Sequence, residues 1–183
     1  MIFTPTPLPG GYVIEPKKIE DDRGFFARLL CQDEFAKLGL KHQLPQTNIS
    51  RTFRRGTMRG LHFQRAPHAE VKIVRCTRGA VYDVMVDLRP ESPTFKQWFG
   101  VELTQDNFKA AYVPEGFAHG YLTLADDSEI YYHASEVYHA ESATGVPYND
   151  PEFNIVWPIE VAVISRQDRE WPAFAAQKTL IGF

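Results

Sequence analysis

Met58-Arg59-Gly60-Leu61-His62-Phe63-Gln64 is a short apolar run, prone to extended structure, with a glycine turn before its central histidine. Side chains alternate across a strand, so the His62 imidazole lies on one face of a sheet and Gln64 shares that face. Taken by itself, such a histidine is most simply a satisfied, half-buried core residue. The flanking sequence gives it a second reading, as a base.

Working outward, the 13 prolines and 12 glycines punctuate many short apolar runs, the rhythm of turns between strands rather than of long helices. Upstream, Gly11 to Glu15 reads as an opening strand, and Asp21-Asp22-Arg23-Gly24 as a turn feeding Phe25 to Leu30. Gln32 to Leu38 reads as a short helix, with Asp33 and Glu34 in its first turn and Gly39 as its stop. Gln46 to Ser50 is a polar strand or loop, and the basic turn Arg51 to Gly56 leads into the His62 strand. Downstream, Val71 to Thr77 and Ala80 to Leu88 flank Arg78-Gly79 and read as a hairpin, with Lys72 on its first strand. Trp98 to Leu103 and Lys109 to Val113 read as another pair. Pro114 to Gly120 is a tight loop into the strand Tyr121 to Leu124. Glu129 to Tyr138 is aromatic and strand-like, Ala140 to Pro151 is a loop, and Val161 to Ile164 is the last strand. About ten short strands without a fixed repeat or a linker predict an all-β chain, a two-sheet sandwich or jelly roll with a few short helices. Residues 1–183 read as one domain, with a tail from Trp171 to Phe183 that packs on the surface or reaches a partner chain.

Composition narrows the function. At 183 residues with 44% apolar side chains, the chain can bury a sizeable core. A formal charge of −3 and no long basic run argue against a nucleic-acid polymer as partner, so an anion is met by local pockets. Cys31 and Cys76 have no metal-ligand spacing and are expected as reduced, structural thiols of a cytosolic protein. No signal sequence and no run of about 18 apolar residues is present, so a soluble, cytoplasmic chain is expected, with no membrane partner.

Among the histidines, His62, His68 and His119 are weighed together. Pro114-Glu115-Gly116-Phe117-Ala118-His119 resembles the second signature of cupins, in which a proline–glycine turn presents a histidine into the mouth of a jelly roll. Metal-binding cupins carry a His-x-His pair in the first signature, where this chain has His62-Phe63-Gln64. A transition metal wants three or four imidazole, carboxylate or thiolate ligands, and here it would have to recruit His68 or Glu70 at another spacing. No catalytic metal and no cofactor are expected.

Arg59 to Gln64, Asp83 to Arg89 with Ser92-Pro93-Thr94-Phe95, Pro114 to Tyr121, Asn149-Asp150-Pro151 and Trp157-Pro158 together resemble the dTDP-4-dehydrorhamnose 3,5-epimerase family, in order, from about Arg23 to Pro172. The resemblance implies a cupin-type jelly roll without a catalytic metal, a homodimer sharing an N-terminal strand, and a nucleotide-diphosphate sugar as substrate. In such a 4-keto-6-deoxy hexose the carbonyl acidifies C3 and C5, and epimerisation needs a base, a stabiliser for the enolate oxygen and an acid on the opposite face. By resemblance, His62 is the base, Tyr132 the acid, Asp168 the carboxylate paired with the histidine, and Lys72 the cation at the C4 oxygen. Arg23, Arg59 and His119 match contacts to diphosphate and sugar, Gln46 and Asn48 polar contacts, and Tyr138 the ring stacked on the base.

Three positions depart from the family pattern: Arg28 and Ala143 replace glutamates, and Gln167 replaces a lysine. A carboxylate accepts the N3–H of thymine, whereas arginine only donates, which would suit cytosine. CDP is therefore the first alternative to dTDP as activating nucleotide. The competing readings are a 3-only or 5-only epimerase, a metal-dependent cupin enzyme and a non-catalytic sugar-nucleotide binding module.

Overall fold

Strands with apolar side chains on both faces must be covered on both faces, and this chain achieves that with two stacked sheets and short outer segments. The computed structural model describes residues 1–177. In chain order the elements are β1 (Ile2–Pro5), β2 (Tyr12–Glu15), β3 (Lys18–Asp21), β4 (Gly24–Ala27), α1 (Gln32–Ala36), β5 (Gln46–Thr52), β6 (Thr57–Gln64), β7 (Lys72–Arg78), β8 (Ala80–Asp87), β9 (Trp98–Thr104), β10 (Ala110–Val113), β11 (Phe117–Thr123), β12 (Ser128–Ala134), β13 (Ala143–Gly145), β14 (Val163–Ile164), α2 (Arg166–Arg169) and α3 (Phe174–Gln177). The first sheet runs β1-β2-β10-β7-β12-β5, and the second β13-β6-β11-β8-β9 with β14 parallel to β6. The all-β jelly-roll class read from the sequence is the class observed.

The pairing differs from the sequence reading in two places. β7 and β8 do not form a hairpin: β7 lies between β10 and β12, whereas β8 lies between β11 and β9 in the other sheet. Gly79, at φ +73°, turns the chain from one sheet to the other, and a Cβ there would meet the Ser128 side chain at 2.6 Å. β9 and β10 are likewise split between the sheets. A tight turn between two apolar strands is the signature of a sandwich corner as much as of a hairpin, because local spacing does not encode which edge pairs.

Alternation builds the interior. Val74 and Cys76 of β7, Ile130 of β12, Val81 and Met85 of β8, and Phe117 and Tyr121 of β11 meet between the sheets. The outward positions Val84, Val86, Ala118 and Leu122 pack under the C-terminal segment through Val146, Phe153 and Phe174. Beneath the first sheet, Ile14, Ile73 and Tyr112 pack against Phe35 of α1. Each fully buried leucine or phenylalanine here contributes about 1.5–3 kcal/mol, so residues 171–177 are held on the body through Phe174, 2% exposed. The rest of the predicted tail, 178–183, lies outside the described residues.

β3 and β4 form a separate two-stranded sheet. Ile19 and Phe26 are 66% and 69% exposed on it, and Lys18 sits 4.6 Å over the Phe25 ring. A lone hairpin is marginally stable in water. No helix among the described residues is long and apolar enough to cross a membrane. Both cysteines are free, and burial pushes the Cys76 thiol up to about 11.

Candidate active site

The space between the sheets is apolar at one end and polar at the other, and the polar end is a cavity of about 710 Å³. Period-2 positions deliver its walls: Lys72 and Tyr132 come from β7 and β12 of the first sheet, and Arg59, His62, His119 and Tyr121 from β6 and β11 of the second. On β6 strict alternation fails. Arg59 and His62, three residues apart, both line the cavity, while Leu61 and Phe63 pack in the outer core, as does Met58, which also borders the cavity.

The slip occurs at Gly60. Opposite His62 and Arg59 stand His119 and Tyr121, and the register shifts between them, a bulge that changes which side chains point inward. Two glycines permit it. Gly60 adopts φ +120°, and a Cβ on it would lie 2.7 Å from the Gly120 Cα; a Cβ on Gly120 would lie 2.6 Å from the Arg59 carbonyl oxygen.

Each inward histidine is tied to a buried carboxylate. His62 Nε2 lies 2.5 Å from Asp168 Oδ1, and Asp168 is 5% exposed. Asp168 also accepts the Gly60 N–H at Oδ2 (3.3 Å) and the Trp171 indole N–H at Oδ1 (3.3 Å). Ser165 caps α2 by accepting the Asp168 N–H at 3.0 Å, which fixes where the carboxylate points. Burial raises the Asp168 carboxyl, but His62, the Gly60 amide and Trp171 outweigh it and hold the group below its usual range. With Nε2–H donated to Asp168, the lone pair of a neutral His62 ring resides on Nδ1. In the same way His119 Nε2 lies 2.9 Å from Asp83 Oδ2, and Asp83 is 1% exposed with Oδ1 left without a partner.

On the facing wall Lys72 Nζ lies 3.1 Å from Glu70 Oε1, both side chains about one-eighth exposed. Glu70 is a residue the sequence reading named only as a possible metal ligand. Its spacing held the clue, since residues two apart on an extended chain share a face. Burial, and then the charge of Glu70, push the Tyr132 phenol above its ordinary value, so it is a protonated donor at neutral pH. Tyr121 shares a 3.1 Å hydrogen bond with Ser50, and Arg59 donates Nε–H to Thr52 at 3.0 Å, leaving the rest of its guanidinium to the cavity.

A second cavity of about 230 Å³ adjoins, lined by Gln46, Gln64, Glu70, Tyr138, Ala143 and Trp171 together with His62, Lys72 and Tyr132. Gln46 accepts the Tyr138 backbone N–H at 2.9 Å and donates to Asn48 at 3.2 Å; Asn48 Nδ2 is buried without a partner. Tyr138 is 65% exposed. Of the three departures from the family pattern, Ala143 and Gln167 line these cavities. Arg28 does not: within one chain it pairs with Glu34 at 3.2 Å. Arg23 stands at the tip of the β3–β4 hairpin, paired with Asp21 at 2.5 Å. His68 does not join His62 and His119 either; it stacks on His139. Trp171, whose ring meets His62 edge-on at 6.3 Å, and Asp83 were not singled out from sequence, because each acts through a histidine far from it in the chain.

Comparison with known proteins places this geometry. A family model described as dTDP-4-dehydrorhamnose 3,5-epimerase matches residues 5–176. The protein of that name from Methanothermobacter thermautotrophicus is 42% identical over 172 residues, 92% of each chain. The crystal structure of the enzyme from Elizabethkingia anophelis superimposes with a TM-score of 0.94 at 40% identity, covering 97% of this chain and 98% of that one. The structure of the Bacillus anthracis enzyme with TDP and PPi bound gives 0.91 at 41% identity, covering 94% and 99%. The chain belongs to the dTDP-4-dehydrorhamnose 3,5-epimerase family.

Proposed function

We propose that the protein epimerises a nucleotide-linked 4-keto-6-deoxy hexose at C3 and C5, in deoxysugar biosynthesis, as one domain using side chains for every proton. The observation that carries the reading is the cavity wall: His62 with its buried carboxylate on one sheet, and Tyr132 and Lys72 on the facing sheet. His62 Nδ1 takes the proton from the carbon next to the ketone. The electron pair left behind moves onto the C4 oxygen, where the Lys72 ammonium meets it. Tyr132 returns a proton to the opposite face of the same carbon, and solvent then resets both groups. Asp168 holds the ring and gains a full ion pair as the imidazolium forms. Arg59 supplies donors for the diphosphate, His119 a contact to the sugar or diphosphate through the ring nitrogen that Asp83 leaves free, Gln46 and the unpaired Asn48 amide polar contacts, and Tyr138 a stacking face for the base.

The exposed apolar β3–β4 hairpin supports a homodimer in which Arg23 and Arg28 reach the partner's cavity. With Arg28 in place of a carboxylate, thymine N3–H has lost an acceptor, and CDP is the alternative nucleotide this change favours. Calorimetry with CDP, dTDP, UDP and GDP tests that part; a dTDP affinity about tenfold above that of CDP, 1.4 kcal/mol, ends it.

The reaction itself is tested by NMR of the 4-keto-6-deoxyhexose nucleotide in deuterated water. Both the C3 and C5 hydrogens should wash out, and His62→Ala should abolish the exchange. Tight nucleotide binding without exchange would make the protein a binding module instead. Loss of one hydrogen alone would make it a monoepimerase.

A further inference from the structure

Outside the proton-transfer cavity, one cluster of side chains is built like the half-formed shell of a metal ion. His68, Glu136 and His139 each offer an atom within 4.8 Å of the others. We propose that these three side chains bind a divalent transition-metal ion of the zinc type, beside Tyr138 and independently of the reaction.

Three features of the geometry support the assignment. His139 Nδ1 lies 3.3 Å from Glu141 Oε1, while its Nε2 faces Glu136 Oε1 at 3.7 Å. That is the arrangement in which a carboxylate holds one ring nitrogen and leaves the other, with its lone pair, for a metal. The His68 and His139 rings are stacked, with their centroids 3.5 Å apart. Their ligand atoms lie within 4.8 Å of one another, and two nitrogens on one tetrahedral zinc, each about 2.0–2.1 Å from it, are roughly 3.3 Å apart, a difference that turning the rings can close. The rings are 12° from parallel, so each turns about its terminal torsion, which is soft for histidine, to aim its lone pair at the ion. Glu136 Oε1 accepts the Val137 N–H at 2.9 Å, leaving Oε2 as the oxygen ligand.

The third feature is Gln64. Its side-chain nitrogen donates to the His68 and Val137 carbonyls (3.2 and 3.1 Å), and its oxygen accepts the His139 N–H at 2.6 Å. At 3% exposure this amide ties both ligand-bearing segments together from beneath, so the two backbones are already in place before an ion arrives. Two imidazoles and one carboxylate select zinc, nickel or copper over magnesium or calcium, which prefer all-oxygen shells.

The test is equilibrium dialysis of the chelator-stripped full chain against zinc chloride near neutral pH. One saturable site per chain is expected, undisturbed by excess magnesium. His68→Gln, His139→Gln and the isosteric Glu136→Gln should each weaken it by about 100-fold or more, and Glu141→Gln by about 10-fold, the usual scale for an outer carboxylate. Cobalt in place of zinc should give the visible absorption of a tetrahedral site, absent from His139→Gln. No saturable binding, or binding that survives all three ligand substitutions, or binding lost in His62→Gln but not in His139→Gln, would overturn the assignment.

Discussion

Replacing Asp168 by asparagine changes one oxygen to an amide nitrogen and removes one charge, at a site where both carboxylate oxygens already accept. Oδ1 takes the His62 and Trp171 N–H groups and Oδ2 takes the Gly60 N–H. An amide has one acceptor oxygen. If that oxygen faces His62, the new NH₂ opposes the Gly60 N–H; if the NH₂ faces His62, Nε2 must accept, and the ring carries its proton on Nδ1, where the base is needed. The first arrangement forfeits a charge-assisted hydrogen bond worth about 1.5–3 kcal/mol, which is about 10- to 150-fold in rate. The second removes the base outright, and the corresponding change in a serine-protease triad costs about 10⁴-fold. We therefore expect kcat for deuterium wash-out to fall by between about 10 and 10⁴, with KM within about threefold because the proposed role of Asp168 is to stabilise charge that develops after binding. The buried donor left facing a donor costs about 1–3 kcal/mol of stability, so the melting temperature drops by several degrees and assays belong well below it. A folded variant with kcat within about threefold of the parent would refute the role given to the carboxylate.

Tyr132→Phe should slow net inversion more than exchange at C3 in the same NMR assay, since it removes the far-face donor and leaves the base. In the parent, burial and Glu70 raise this phenol, so the alkaline limb of kcat should lie above the ordinary tyrosine value of 10.0; a limb below it would count against Tyr132 as the acid. Asp168 is held below its usual 3.8, so its pairing stabilises the fold above the unfolded-state value and is lost as pH falls through the lower folded one. Denaturant titrations of parent and Asp168→Asn should accordingly converge as the pH falls below the ordinary carboxylate value, and a constant gap would contradict the shift. Gly60→Ala should cost more than about 3 kcal/mol, because its φ is that of glycine and the new Cβ meets the backbone of Gly120 and His119; a midpoint near the parent's would show that the strands can part there.

The strands were legible because their signals are local. Val81 to Val86 alternate into two cores, and α1 carries its acidic first turn and its glycine stop where the sequence placed them. Partnership was less legible. β7 and β8 look like a hairpin across Gly79, yet each is central in a different sheet, and nothing within a few residues of Gly79 reports the strands that flank them. β1, β3 and β13 escaped notice because they are short, and β1 and β3 are mostly exposed, so neither length nor alternation marks them.

The site shows the same limit in sharper form. Strict alternation from His62 correctly puts Gln64 on its face, where both line the second cavity, and Met58 beside the first, but it would also put Arg59 in the outer core. The bulge at Gly60 brings Arg59 to the cavity as well, and the opposing Gly120, sixty residues on, leaves room for it. The functional set is thus selected by a pair of side-chain-free positions on neighbouring strands. The arginine proposed for the phosphates and the histidine proposed as base face one cavity because neither glycine carries a Cβ. A larger residue at either position would clash with the facing strand, and relieving the clash by restoring the ordinary pleat would turn Arg59 away from the cavity, removing the residue proposed for the phosphates before the proposed base is touched.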